Sequence, residues 1–186
     1  MPVTICGNGT ITGLSVGGLP DGTVDSDTLA AGAGKGSGRI IKTASYNNTG
    51  RTTISNTYTG CGSVTIQPTA ATSKMLVLVS FPFGIDSMNA NVDYVRANFK
   101  LMWNHSGISE TQLQHKSYSI NFPEDDGMDM ILMNSCEIMY LHDHNTPNEI
   151  TYEIKAKTVQ SSSNLEVIQG GSGTDNKTIE VLEIGA

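Results

Sequence analysis

The chain has 186 residues, 16% of them charged, with 18 acids against 11 lysines and arginines and a net charge of −7. That length holds one ordinary domain with a real core. Scattered cations in an acidic chain disfavour nucleic acid and anionic membrane surfaces as partners, and a surface of hydroxyl and amide residues suits strands and turns better than helices.

Residues 1–38 contain half of the glycines and little that builds a core. The apolar residues there, Ile11, Leu14, Val16, Leu19, Val24 and Leu29, follow neither a sustained helical nor a sustained strand period. Gly17-Gly18 and Pro20-Asp21-Gly22 interrupt whatever begins. Asp25-Ser26-Asp27-Thr28 predicts a cap on a short helix through Leu29-Ala30-Ala31, ended by Gly32. Ala33 to Gly38 has the composition of a linker. We therefore expect an extended docking arm over 1–38, whose six apolar residues order on a partner, and a domain over 39–186. Neither a basic start nor a continuous apolar run marks residues 1–20 as a signal peptide.

After the linker, strand signals recur every 10 to 20 residues. They predict strands near 39–46, 51–58, 63–67, 74–82, 92–103, 113–121, 131–142, 149–158, 164–169 and 177–184, joined by turn chemistry such as Asn47-Asn48-Thr49-Gly50, His105-Ser106-Gly107 and Asn145-Thr146-Pro147-Asn148. The fold class is all-β, a jelly-roll-like antiparallel sandwich.

Alternation assigns faces. Tyr152, Ile154 and Ala156 oppose Thr151, Glu153, Lys155 and Lys157; Phe99, Leu101 and Trp103 oppose Asn98 and Lys100. Residues 75–81 break the rule. Met75, Val77, Val79 and Phe81 point one way, and Leu76 and Leu78 the other. An antiparallel strand apolar on both faces needs a second cover. The run Ile138-Met139-Tyr140-Leu141 repeats the problem. Leu76, Leu78, Met139 and Leu141 are thus the expected oligomer interface.

Chemistry is sparse. Cys6, Cys61 and Cys136 are odd in number and widely spaced, which predicts reduced thiols with Cys136 buried. His142-Asp143-His144 places two imidazoles on one side of a strand. The pair lacks Cys or carboxylate support, so it is expected to be a solvated strand end and no metal is assigned to His142 or His144. Glu124-Asp125-Asp126-Gly127-Met128-Asp129 lacks the spacing of a calcium loop. There is no G-x-S-x-G, no H-E-x-x-H and no phosphate loop between strand and helix. The expectation is a binding protein without cofactor or catalytic residues. Tyr46, Tyr58 and Tyr118 are the aromatic side chains expected to be exposed.

The stretch Ile11 to Ala30, with Gly13-Leu14-Ser15-Val16-Gly17-Gly18-Leu19-Pro20-Asp21-Gly22-Thr23-Val24 at its centre, resembles segments of virion proteins from tailed bacteriophages of cyanobacteria and marine bacteria. So do Ser73-Lys74-Met75-Leu76-Val77-Leu78-Val79-Ser80, Thr151-Tyr152-Glu153-Ile154-Lys155 and the Glu183-Ile184-Gly185-Ala186 ending. Phage proteins of this type are similar to tumour-necrosis-factor and C1q-like jelly rolls, which are commonly trimers. The resemblance implies a virion structural protein made in the host bacterial cytoplasm, a homotrimer. The size and the arm favour a capsid decoration (cement) protein bound to the major capsid protein. The alternative is a tail-fibre or receptor-binding protein that recognises a host-surface glycan.

Overall fold

The computed structural model describes residues 4–5, 11–12, 38–50, 52–87, 94–121, 130–159, 164–167 and 176–185. The chain divides into two units, Met1–Gly36 and Ser37–Ala186. In the first, strands β1 (Thr4–Ile5) and β2 (Ile11–Thr12) pair antiparallel. The predicted helix over 29–31, the apolar residues Leu14, Val16, Leu19, Val24 and Leu29, and the acidic run 124–129 lie outside the described residues.

The second unit contains β3 (Ile40–Asn48), β4 (Thr52–Ile54), β5 (Thr59–Ile66), β6 (Lys74–Ser87), β7 (Tyr94–His105), β8 (Ile108–Asn121), β9 (Met130–His142), β10 (Ile150–Thr158), β11 (Asn164–Val167) and β12 (Lys177–Ile184). Each predicted strand is present. The span expected over 51–58 is short, because Ser55 to Tyr58 form a bend before β5 begins.

One sheet carries β3, β12, β6 and β9 side by side, and the other β5, β10, β7 and β8. All neighbours run antiparallel. The chain crosses repeatedly between the sheets, and this order is that of two interleaved Greek keys, a jelly roll. The β4–β11 pair extends the first sheet along the far end of β6, where β11 opposes Gly84 to Asp86. Two turns are set by backbone chemistry: Gly107 (φ 96°) closes the β7–β8 hairpin and Asn145 (φ 49°) opens the loop after β9.

The core lies between the sheets. Met75, Val77, Val79, Phe81 and Phe83 of β6, with Ile179 and Val181 of β12, face Ala97, Phe99 and Leu101 of β7 and Ile150, Tyr152, Ile154 and Ala156 of β10; all are buried. Phe83 meets Phe99 at 5.0 Å between ring centroids, and Tyr118 packs on both at 5.0 and 5.9 Å. The predicted inward faces are therefore observed. Two expectations are corrected. Asn98 points to the outer side yet is 8% exposed. Tyr46 and Tyr118 pack against the core rather than standing clear as platforms. Gly62 makes room for Tyr46, since a Cβ there would overlap its ring. Cys61 and Cys136 are free and buried, and burial pushes both thiols up to about 12.

Candidate functional site

Two features are built from residues that a plain sandwich would not require. The first is the outward face of the β3–β12–β6–β9 sheet. Pairing sets Leu182 opposite Leu76 and Leu76 opposite Leu141 across three strands. The next outward row pairs Glu180, Leu78 and Met139. Met139 is 73% exposed and Leu141 51%. At the end of the sheet Ile184 pairs with Ile40, also exposed. Met139 and Leu141 stand exposed beside the half-buried Leu76 and Leu78, in rows that also hold Glu180. The register thus brings Leu76, Leu78, Met139 and Leu141 together on one face. Among the described residues β9, the strand that carries the latter two, pairs with β6 alone. A cleft of about 550 Å³ opens beside it, lined by Leu78, Met139, Ile138, Gln114 and Lys116.

The second feature is a buried polar network at the end of the sandwich where β9 and β12 meet the β5–β6 loop. Glu183 faces inward, as its parity with Ile179 and Val181 dictates, and is fully buried. Its carboxylate accepts from the backbone N–H of Thr69 (2.6 Å) and of Ala70 (3.4 Å), and from the hydroxyls of Thr69 (2.9 Å) and Ser73 (2.6 Å). Burial alone would raise this carboxyl, but the donors from Ser73, Thr69 and Ala70 outweigh it and hold it below the ordinary carboxylate range. Ser73 Oγ also lies 3.2 Å from His144 Nε2, while His144 Nδ1 lies 2.9 Å from the carbonyl of Thr146. Next to this, His142 Nδ1 is 2.8 Å from the Tyr152 hydroxyl, and the Trp103 ring meets the imidazole edge-on at 4.3 Å.

This corrects the expectation of a solvated strand end. His142 and His144 are 6% and 3% exposed, with partners on β10 of the facing sheet and at Ser73 and Thr146. The arrangement is also not that of a nucleophile with its base. The acid sits on the serine rather than on the far imidazole nitrogen, and that nitrogen is taken by a backbone carbonyl. Among the described residues no group of three or more metal-ligating side chains converges.

The network has a consequence for acid stability. Burial, followed by the neighbouring His144 and opposed by Asp143, lowers His142 to about 4. Below the unfolded value near 6.5 the unfolded chain takes up a proton that the folded chain refuses, so stability falls as the pH drops from about 6.5 to about 4. Glu183 adds to the same trend, because its contribution is lost as the pH falls through its depressed folded value. We expect a loss of about 2 kcal/mol from His142 over this window, allowing for partial solvent screening. Urea titrations at pH 7, 5.5 and 4.5 read it, and His142→Asn should flatten the dependence. An unchanged slope in that variant would assign the acid sensitivity elsewhere.

Sequence reasoning missed Ser73 and Tyr152 as partners of the histidines, and Glu183 as the partner of Ser73. The inward parity of Glu183 was readable from the 177–184 alternation; its donors, more than a hundred residues away in the chain, were not. It also took the cations as scattered. The fold places Arg96, Lys100, Lys155 and Lys157 on the outer face of the second sheet, on the neighbouring strands β7 and β10.

No protein-family model matches this chain. No curated protein matches it either. Among solved structures it is similar to the Eiger TNF of S. frugiperda, with 12% identity, a TM-score of 0.45, and coverage of 79% of this chain and 94% of that one. It is also similar to the VP2 subviral particle of infectious bursal disease virus, with 13% identity and a TM-score of 0.28, over 79% of this chain and 38% of that one.

Proposed function

We propose that this chain is a phage virion structural protein, a homotrimeric capsid decoration protein that grips the major capsid protein through residues 1–38. The observation that carries the reading is the outward apolar face of the β3–β12–β6–β9 sheet, where Leu76, Leu78, Met139 and Leu141 form neighbouring pairs across β6 and β9. A surface of this kind is satisfied by a second copy of itself in a closed assembly. Trimeric symmetry, the virion and the capsid partner come from the resemblance of Ile11–Ala30, Ser73–Ser80 and Thr151–Lys155 to tailed-phage virion proteins. Three arms held on one body raise the effective concentration of each for the shell, so weak single contacts add up to firm attachment.

The test is copy number in purified particles, by quantitative mass spectrometry against the major capsid protein. A decoration role predicts hundreds of copies in fixed ratio to the shell protein. A few tens or fewer would overturn it and move the protein to the tail.

A further inference from the structure

The end of β9 belongs both to the apolar face and to the buried polar network. His142 closes that strand and faces inward, while Leu141 beside it faces outward, exposed in the row it shares with Leu76. The backbone that holds one therefore holds the other. Inside, His142 sits opposite Met75 of β6, between the Trp103 ring of β7 and the Tyr152 hydroxyl of β10. His105 stands behind Trp103 at 5.4 Å, and Tyr140 and His144 lie 6.3 and 6.4 Å from His142 between ring centroids. None of these groups is an anion. Asp143, next in the chain, is engaged by Lys74 at 3.1 Å on the exposed side. Glu183 of β12 accepts from Thr69, Ala70 and Ser73, and Ser73 Oγ in turn meets His144. A proton on His144 thus finds a counter-charge one hydroxyl away. A proton on His142 finds none.

An imidazolium in that setting is stabilised only by reaching water. Hydrating it requires the strand end to leave the sandwich, and its position lets it leave alone. His142 pairs with Met75 at one end of the β6–β9 ladder, whose other end is Ser87 with Met130. Phe83 of the aromatic cluster pairs with Asn134, about 25 Å along β9 at the ordinary rise per strand residue. Glu183 stays charged as the histidine titrates, because its donors hold it below the ordinary carboxylate range, so the β5–β6 loop keeps its anchor. Burial holds the closed imidazole down at about 4, against about 6.5 in an open strand end, so falling pH favours the open form. From this geometry we infer that acid releases the end of β9 and the loop behind it, with His142 as the trigger, and that the apolar face thereby loses Leu141 and its hold on a second copy. The coupling to assembly rests on the self-associating reading of that face; the local release does not.

The experiment compares the full chain at pH 7 and pH 4.5 by hydrogen exchange, corrected for the intrinsic rate, and by light scattering. The expected result is exchange faster by about tenfold or more over 139–148, with the strands around Phe83 and Phe99 unchanged. Over the same interval the mass falls to that of a monomer. Trp103, the sole tryptophan of the chain, should report the opening as a red shift of its emission. Equal protection of 139–148 at both pH values, or a loss spread evenly over the domain, would overturn the local release. An oligomer that persists at pH 4.5 with the segment open would overturn the coupling and leave the self-associating reading standing. A monomer already at pH 7 sinks that reading and the coupling with it, and the exchange rates still decide the release. His142→Asn should stay closed and associated at pH 4.5; a variant that opens as the parent does would remove His142 as the trigger.

Discussion

A chain carrying Met139→Glu is expected to behave as a monomer at concentrations where the parent chain self-associates. Met139 is the most exposed large apolar side chain described, and it sits beside Leu78, Leu76 and Leu141 on a single sheet face. In the isolated subunit a glutamate there meets water and costs little, so the fold should persist. In an assembly it would be desolvated against apolar neighbours and, through symmetry, against its own copies. The penalty is several kcal/mol per interface, enough to shift the association constant by about a thousandfold or more. Light scattering on the eluting protein reads the mass, and circular dichroism confirms the fold. An unchanged mass would show that this face is not the interface and would remove the structural support for a self-assembling role. Asp143→Asn, which removes an exposed ion pair with Lys74 near the same edge, should leave the mass as it is.

The second large effect concerns Glu183→Ala. Its carboxylate accepts from two backbone N–H groups and two hydroxyls, all on the segment that joins the two sheets. Deleting the acceptor leaves the N–H groups of Thr69 and Ala70 and the Thr69 hydroxyl to water, since both residues are exposed, while Ser73 keeps the Ala70 carbonyl at 2.7 Å and His144 at 3.2 Å. With those donors open to water, the loss is that of several charge-assisted hydrogen bonds, about 2–3 kcal/mol. Urea unfolding should show a midpoint shift of that size, with a smaller one for Glu183→Gln, which keeps one acceptor oxygen. A loss below about 1 kcal/mol for the alanine variant would mean that the loop is held by other contacts, such as Lys42 Nζ to the carbonyl of Gln67 at 2.7 Å.

Both predictions rest on the same lesson in how far a sequence reaches. Which side of each strand is apolar was legible, because side chains alternate with a period of two and the signal is entirely local. Met75 to Phe81, Tyr152 to Ala156 and Phe99 to Leu101 fall inward as their alternation requires. The doubly apolar stretch that put Leu76 and Leu78 outward was legible for the same reason. The strand positions, the turns at Gly107 and Asn145, and the all-β class follow from comparably local chemistry.

Which strand lies beside which is a different kind of fact. Lys100 and Lys157 were each readable as outward residues, yet their meeting over Tyr58 depends on β7 pairing with β10 in one register. His142 and His144 look like a wet strand end until Tyr152, Ser73 and Glu183 arrive from other parts of the chain to bury and satisfy them. The amino-acid sequence by itself determined the period, the faces and the breaks, since these are decided within a few residues. Only the tertiary structure decided the partners, because a jelly roll pairs strands far apart in the chain and the energy of those pairings is not written in either strand alone.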